Sequence, residues 1–256
     1  MSVPELIKLD FAVDEGFGSR ARLGLILLES DQTLEVEARR IDIPGVDFYH
    51  ARIENEMEVN PATLTAMLDR LPATASLLAG DLGFDAIGYG CTSASTLIGP
   101  DAVTTAIQSV HRAMTCTNPI SAAVAAFGAL DAKRIAVVTP YTADVTGPVI
   151  EHLVSAGLHV TAFGSFLESS DLVVGRITHE SIAAGVRSVL AEGDCDAVFV
   201  SCTSLRLIER AAELEDEVSL PVVSSNMALL WHLLRLVGVD DQLPELGTLF
   251  TRPLAN

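Results

Sequence analysis

Two short stretches hold the side chains best suited to covalent and proton-transfer chemistry, and they are near copies of each other. The first is Asp85-Ala-Ile-Gly-Tyr-Gly-Cys91-Thr-Ser-Ala-Ser95, and the second is Asp196-Ala-Val-Phe-Val-Ser-Cys202-Thr-Ser-Leu-Arg206. Each reads as an aspartate, a short apolar run, then Cys-Thr-Ser. Such a run, closed by small residues, suits a buried parallel strand that ends at the cysteine. Ligands of open α/β sheets sit outside the carboxyl ends of those strands, so Cys91 and Cys202 are expected to face one pocket. A helix start is expected after each Thr-Ser, where free N–H groups and the positive dipole end stabilise a thiolate or a bound carboxylate. Paired thiols across a cleft suit exchange of a proton or a carbon bond on two faces of a small substrate. One thiolate takes a proton or attacks carbon, while the other, as thiol, donates a proton from the opposite side. That chemistry calls for no metal and no organic cofactor.

The elements that position these cysteines follow from hydrophobic patterning. Arg22-Leu-Gly-Leu-Ile-Leu-Leu28 and residues 46–53 read as buried strands, with a helical stretch beginning at 35–40 between them. Asn60-Pro61 opens a helix, asparagine as cap and proline at the first position, running to about Leu71. A second helix is expected over 74–82, then the first Cys-Thr-Ser strand, a helix over 101–112, a weak strand over 113–117 and an Ala-rich helix over 120–130. The order then restarts. Arg134-Ile-Ala-Val-Val-Thr139 mirrors Arg22 to Leu28, 159–166 mirrors 46–53, and helices are expected over 145–156, 179–191 and 227–236. Cys91 to Cys202, Arg22 to Arg134 and Asn118 to Asn226 are each separated by about 110 residues, which marks duplication of a βαβ-type unit rather than a short-period solenoid. The expected fold is α/β, with two similar halves related by a pseudo-two-fold duplication. Each half is a parallel four-stranded sheet flanked by helices, and the active site lies in the cleft between them. The expected boundaries are a leader over 1–20, a first half over 21–131 joined by the C-terminal region 227–256, and a second half over 132–226.

Composition narrows the function. The 256 residues are 49% hydrophobic and 20% charged, which fits a well-cored globular protein. Aromatic residues make up only 5%, so Ala, Val, Ile and Leu must fill the core. A formal net charge of -18 argues against nucleic acid or an anionic membrane as the partner. No run reaches the roughly 18 apolar residues of a membrane span, and the N-terminus lacks a signal-peptide core, so the expected location is cytoplasmic. The four cysteines show no CxxC pair and no neighbouring histidines at metal spacing, which disfavours a disulfide framework and a zinc site. Cys116 and Cys195 read as small core residues. Gly88-Tyr-Gly90 lacks the third glycine of a phosphate loop. His50, His111, His152, His159, His179 and His232 are scattered. Arg176 and Arg206 stand out as cations that could lower a nearby thiol pKa, with a structural ion pair as the plainer role.

The duplicated halves with Cys91-Thr-Ser and Cys202-Thr-Ser resemble the aspartate/glutamate racemase superfamily, across nearly the whole chain from about Arg22. Val138-Thr-Pro-Tyr141, Leu172-Val-Val-Gly-Arg-Ile177 and Pro221-Val-Val-Ser-Ser-Asn226 resemble its maleate cis-trans isomerase and arylmalonate decarboxylase branch. Gly88 to Ser95 and Ser165-Phe166 are similar to the ectoine-utilisation relatives within that branch. The resemblance implies that Cys91 adds to a double bond as a thiolate, the resulting single bond rotates, and elimination gives the trans isomer. Cys202 would supply and recover the proton. Tyr141 would bind a substrate carboxylate, with hydroxyls and backbone amides of Thr92, Ser93, Thr203 and Ser204 holding the carboxylates. Arylmalonate decarboxylases keep one cysteine, so the pair here counts against that activity.

Two residues depart from the maleate enzymes, which carry asparagines where this chain has Asp31 and Asp171. An ionised carboxylate close to a dicarboxylate substrate is repulsive. Either these two cap a helix and a solvated turn, or they line the pocket. In the second case one is protonated, or the substrate is an amino-acid derivative with an ammonium or amide N–H. The leading expectation is a cofactor-independent two-cysteine isomerase of a small carboxylate, of the maleate isomerase type. A racemase or epimerase of an amino-acid derivative, in line with the ectoine-utilisation resemblance, is the alternative. A non-catalytic protein binding a small anion is the third reading. Apolar helices such as 227–236 allow a homo-oligomer, a dimer or tetramer.

Overall fold

The computed structural model describes residues 3–255. Four strands, β1 (Ala21–Leu28), β2 (Val46–Ile53), β3 (Ala86–Tyr89) and β4 (Thr115–Thr117), form a parallel sheet in the order β2-β1-β3-β4. The second sheet repeats this with β5 (Arg134–Thr139), β6 (His159–Ser165), β7 (Ala197–Val200) and β8 (Val222–Ser224), ordered β6-β5-β7-β8. The duplication is therefore one of topology as well as sequence. β1 and β7 are apolar almost throughout because helices cover both faces of each sheet. The two leading aspartates repeat a structural role. Asp85 accepts the Arg22 N–H (2.8 Å) and Asp196 accepts the Arg134 N–H (2.7 Å), so each fixes the start of the strand beside it.

The helices are α1 (Leu34–Ala38), α2 (Pro61–Ala75), α3 (Thr92–Ile98), α4 (Pro100–Gln108), α5 (Pro119–Ala129), α6 (Ala143–Ser155), α7 (Asp171–Val174), α8 (His179–Leu190), α9 (Ala211–Val218) and α10 (Ser225–Leu236). Asn60 caps α2 through the N–H groups of Ala62 and Thr63, with Pro61 in the first turn, as its sequence implies. The expected break near Leu71 does not occur: α2 runs through Pro72 to Ala75. The proline removes one N–H and leaves a carbonyl a turn earlier without its helical donor. Burial of Leu64, Met67, Leu71 and Ala75 on one face outweighs that loss. In place of the helix expected over 74–82 only a 3-10 turn forms, over Gly80–Leu82.

Two helices cross between the halves. The Phe127 ring of α5 meets Phe199 of β7 edge-on, with centroids 5.8 Å apart. In return α10 lies against α5 and on β3 and β4. Gly88 makes that approach possible, since a Cβ there would meet Leu233 at 3.0 Å and Leu229 at 3.2 Å. Residues 3–20 carry no regular element and expose Leu6, Ile7, Leu9, Phe11 and Val13. No helix among the described residues is long and apolar enough to cross a membrane.

Candidate active site

The carboxyl ends of both sheets point into one cleft, and Cys91, Tyr141 and Cys202 each sit just past a strand. In each sheet the order reverses between the first and third strands, so the loops after them diverge and open a crevice. Cys91 follows β3 and is the N-cap residue of α3, with an extended backbone (φ -143, ψ 114). Its sulfur faces the first-turn N–H groups of Ser93 and Ala94 and lies 3.7 Å from the Ser93 hydroxyl. Gly90 is required beside it, because a Cβ would fall 2.5 Å from Leu34 and 3.2 Å from the Ile26 carbonyl.

Cys202 follows β7 in the equivalent place, but no helix begins there, contrary to the sequence expectation. Residues 203–204 form a turn and 205 a bend, a 3-10 turn spans Ile208–Arg210, and α9 starts only at Ala211. The Cys202 sulfur receives the Ser204 N–H at 3.3 Å and lies against the Tyr141 hydroxyl. The loop itself is held from the other half. Glu37 of α1 accepts the N–H groups of Leu207 (2.7 Å) and Ile208 (3.0 Å) and the Asn226 amide (2.7 Å). Asn226 also donates to the Thr203 carbonyl (2.9 Å), and the Thr33 hydroxyl donates to the Ser204 carbonyl (2.9 Å).

Cys91, Ser93, Tyr141, Asp171, Cys202, Thr203 and Ser204 line one cavity, together with Leu28, Asn55, Leu64 and Met67. The loop after β2 closes over it. Glu58 pairs with Ser170 in an antiparallel bridge, and the Val59 N–H donates to the Ser169 carbonyl at 3.0 Å. In this closed form the cavity holds about 20 Å³, room for one water molecule. A four-carbon substrate needs more room than this, so the cavity must widen to take one.

Burial governs the thiols. Cys91 and Cys202 are 3% and 5% exposed. Burial pushes the Cys91 thiol up to about 11, against the pull of the Ala94 and Ser93 donors, and the Asp171 charge adds to the rise. Burial, then the Asp171 charge, pushes Cys202 up to about 12, with Tyr141 and the Ser204 N–H pulling the other way. Tyr141 is itself held well above its ordinary value by burial and the neighbouring thiols, so it acts as a hydroxyl donor. Burial therefore favours the neutral thiol at both positions.

Seven of the nine residues singled out in the sequence meet in the cavity, and two do not. Asp31 is a capping residue: its carboxylate accepts the N–H groups of Thr33, Leu34 and Glu35, at 3.3, 2.9 and 3.1 Å, and it is absent from the cavity lining. Four free donors in the first turn of α1 outcompete the pocket for it. The Thr92 hydroxyl is likewise committed, donating to the Ser225 hydroxyl at 2.8 Å across the halves. Arg206 does not approach the thiols; its guanidinium donates to the Ile177 carbonyl. Asn118 caps α5, whereas its repeat partner Asn226 anchors the Cys202 loop. Sequence reasoning missed Ser30 and Asn55. The Ser30 hydroxyl donates to Asp171 and accepts from the Asn55 amide (3.1 Å). It also missed Glu37, whose place in a polar stretch gave no signal of burial, and Tyr89, buried beside Cys91. Among the described residues no three His, Cys, Asp or Glu side chains gather closely enough to hold a metal ion.

The fold and site define a duplicated parallel α/β protein with a thiol at equivalent strand ends of its two halves. A family model for arylmalonate decarboxylase matches residues 23–250, and the chain belongs to that family. It is 28% identical over 248 residues to the maleate isomerase of Nocardia farcinica, covering 91% of this chain and 97% of the relative. Its fold matches that of the maleate isomerase Iso from Pseudomonas putida S16 solved with maleate, with TM-score 0.81 and 24% identity over 90% of this chain and 97% of the other. A maleate cis-trans isomerase variant from Nocardia farcinica, solved with a covalently bound succinylcysteine intermediate, has TM-score 0.81 at 24% identity, covering 90% and 98%.

Proposed function

We propose that the protein is a cofactor-independent two-cysteine isomerase of small carboxylates, acting in the manner of a maleate cis-trans isomerase. The observation that carries this reading is the pair of buried thiols lining one closed cavity from equivalent strand ends of the two halves. The full-length similarity to a maleate isomerase supports it.

The steps of this reading are supported by the placement of both thiols on one cavity. Cys91 attacks one carbon of a cis double bond as a thiolate, forming a C–S bond with the sulfur's electron pair. The π electrons move to the neighbouring carbon, which takes the Cys202 proton, leaving Cys202 as thiolate. The former double bond is now single and rotates. Cys202 then removes the proton again, the C–H electrons rebuild the π bond, and the C–S pair returns to Cys91. Charge that develops on the carboxylate next to the reacting carbon meets the Tyr141 and Ser93 hydroxyls and the donors of Thr203. Closure of the seam between Glu58 and Ser170 keeps water from trapping the intermediate.

Proton NMR of the olefinic signals of maleate and its monoamide tests this reading. Cis signals should be replaced by trans signals, and Cys91→Ala should abolish the change. A Cys91→Ala protein as active as the parent would overturn it. The proposal extends to a cytoplasmic enzyme, supported by four free cysteines. It also includes a homo-oligomer, supported by the exposed apolar side chains of residues 6–13 and checked by the mass in solution.

A further inference from the structure

The cavity carries a charge that a dicarboxylate does not match. Asp171 is 4% exposed and lines the cavity with both thiols. Its carboxylate receives two hydroxyls, Ser204 on Oδ1 at 2.7 Å and Ser30 on Oδ2. A carboxylate offers about four acceptor positions, so two remain. No lysine, arginine or histidine lines the cavity among the described residues. The other acids there stand apart from this problem: Glu56 is paired with Arg70 at 2.7 Å, and Glu58 is exposed. Asp171 is thus a buried carboxylate with no protein counter-ion, an arrangement that is costly unless the bound molecule supplies donors or positive charge. A second negative charge from the substrate at this place would add repulsion in a water-poor cavity.

We propose that Asp171 is a specificity-determining residue that accepts an N–H from the substrate, so that the preferred substrate is a small carboxylate carrying an amide or ammonium group rather than a plain dicarboxylate. This rests on the two-cysteine reading given above. The remaining carboxylate of the substrate goes to the donors of Ser93, Tyr141 and Thr203, and the N–H group occupies the open acceptor positions of Asp171. An ammonium there also offsets the anion that faces both thiols, so the substrate itself helps release the Cys91 proton.

The test compares maleate, its monoamide and aspartate in D2O, using the parent protein, Asp171→Asn and Cys91→Ala. Olefinic signals report isomerisation, and deuterium at Cα reports proton exchange on the amino acid. One hydrogen bond to a charged group corresponds to about tenfold to hundredfold in kcat/KM. The parent should favour an N–H-bearing compound over maleate by at least that factor, and Asp171→Asn should narrow or invert the ratio. Conversion of the monoamide places an amide at Asp171, and exchange on aspartate places an ammonium there. Thermal melting checks that Asp171→Asn folds, and Asp171→Ser serves if it does not. Cys91-dependent turnover of maleate that equals the N–H compounds, with a ratio unchanged in the Asp171 variants, overturns the inference and leaves the isomerase reading standing. Calorimetric binding to Cys91→Ser separates the remaining outcomes. Asp171-dependent binding without Cys91-dependent chemistry overturns the isomerase reading alone, while no binding and no turnover across the panel overturns both.

Discussion

The two Cys-Thr-Ser loops begin from the same sequence and end as different structures. The Cys91 loop enters α3 at once, so its sulfur faces the first-turn N–H groups of its own helix. The Cys202 loop has no helix at its start, and its shape is held by Glu37 and Thr33 of the other half and by Asn226. Gly90 precedes the first thiol where a Cβ would press on Leu34 and the Ile26 carbonyl. Ser201 precedes the second and keeps a buried hydroxyl without a hydrogen-bond partner among the described residues. The same motif therefore has a locally stabilised sulfur in one half and a tertiary-held sulfur in the other. The first sulfur lies beside the start of its own helix, and the second receives the Ser204 N–H and lies against the Tyr141 hydroxyl. That division suits a nucleophile and a separate acid.

The largest effect that could break this comparison lies in the thiols. Cys91→Ala should lower turnover by about a thousandfold or more, as loss of a nucleophile does. Cys202→Ser should also be severely impaired, yet it should accumulate a thioether adduct on Cys91 visible by intact mass, because water can still protonate the adduct carbon while no thiolate remains to remove that proton for elimination. An adduct on Cys202 in the Cys91→Ala protein would reverse the roles.

A pH series sharpens it next. Both thiols are pushed up, Cys91 to about 11, so the active anion is scarce near neutrality. The value of kcat/KM should climb by about tenfold per pH unit between pH 7 and 9, since each unit multiplies the thiolate fraction by that factor. Asp171→Asn removes a negative charge that raises both thiols, so ultraviolet titration should show thiolate appearing at lower pH in that variant.

Glu37 tests the tertiary anchor. Its carboxyl is pushed up from 4.5 to about 7 by burial, which outweighs its three N–H donors. A folded-state value raised in this way means stability is full below pH 4.5 and is lost as pH rises to about 7. The loss amounts to roughly 3 kcal/mol, since each pH unit between the two values is worth about 1.4 kcal/mol. Urea unfolding of Glu37→Gln should lack that decline, while Glu37→Ala should strand the Leu207 and Ile208 N–H groups and lower stability at every pH.

The smallest expected effects come from hydroxyls that tie each loop to the opposite half. Thr92→Val removes the bond to Ser225, and Thr33→Val the bond to the Ser204 carbonyl. Each should cost about 1 kcal/mol in urea unfolding. A larger loss of activity in Thr33→Val than in Thr92→Val would support dependence of the Cys202 loop on the first half.

Sequence alone determined what repeats along the chain. The near-constant spacing of Cys91 and Cys202, the apolar runs of β1 and β5 and the Asn60-Pro61 helix start are local patterns. They specified a duplicated parallel α/β fold with two thiols at equivalent strand ends. Only the tertiary structure decided which polar residues belong to the site. Asp31 and Asp171 both follow strands, and their neighbours in sequence do not tell them apart. One is taken up by the first-turn N–H groups of α1, and the other is carried under the seam onto Ser30 and Ser204. Glu37 sits in a five-residue helix that reads as a polar surface, yet it is buried against residues 170 positions away in the chain. Periodicity reports a residue's neighbours along its own element. The partners that set the charge of this cavity arrive from the other half, so their effect exists only once the two sheets face each other.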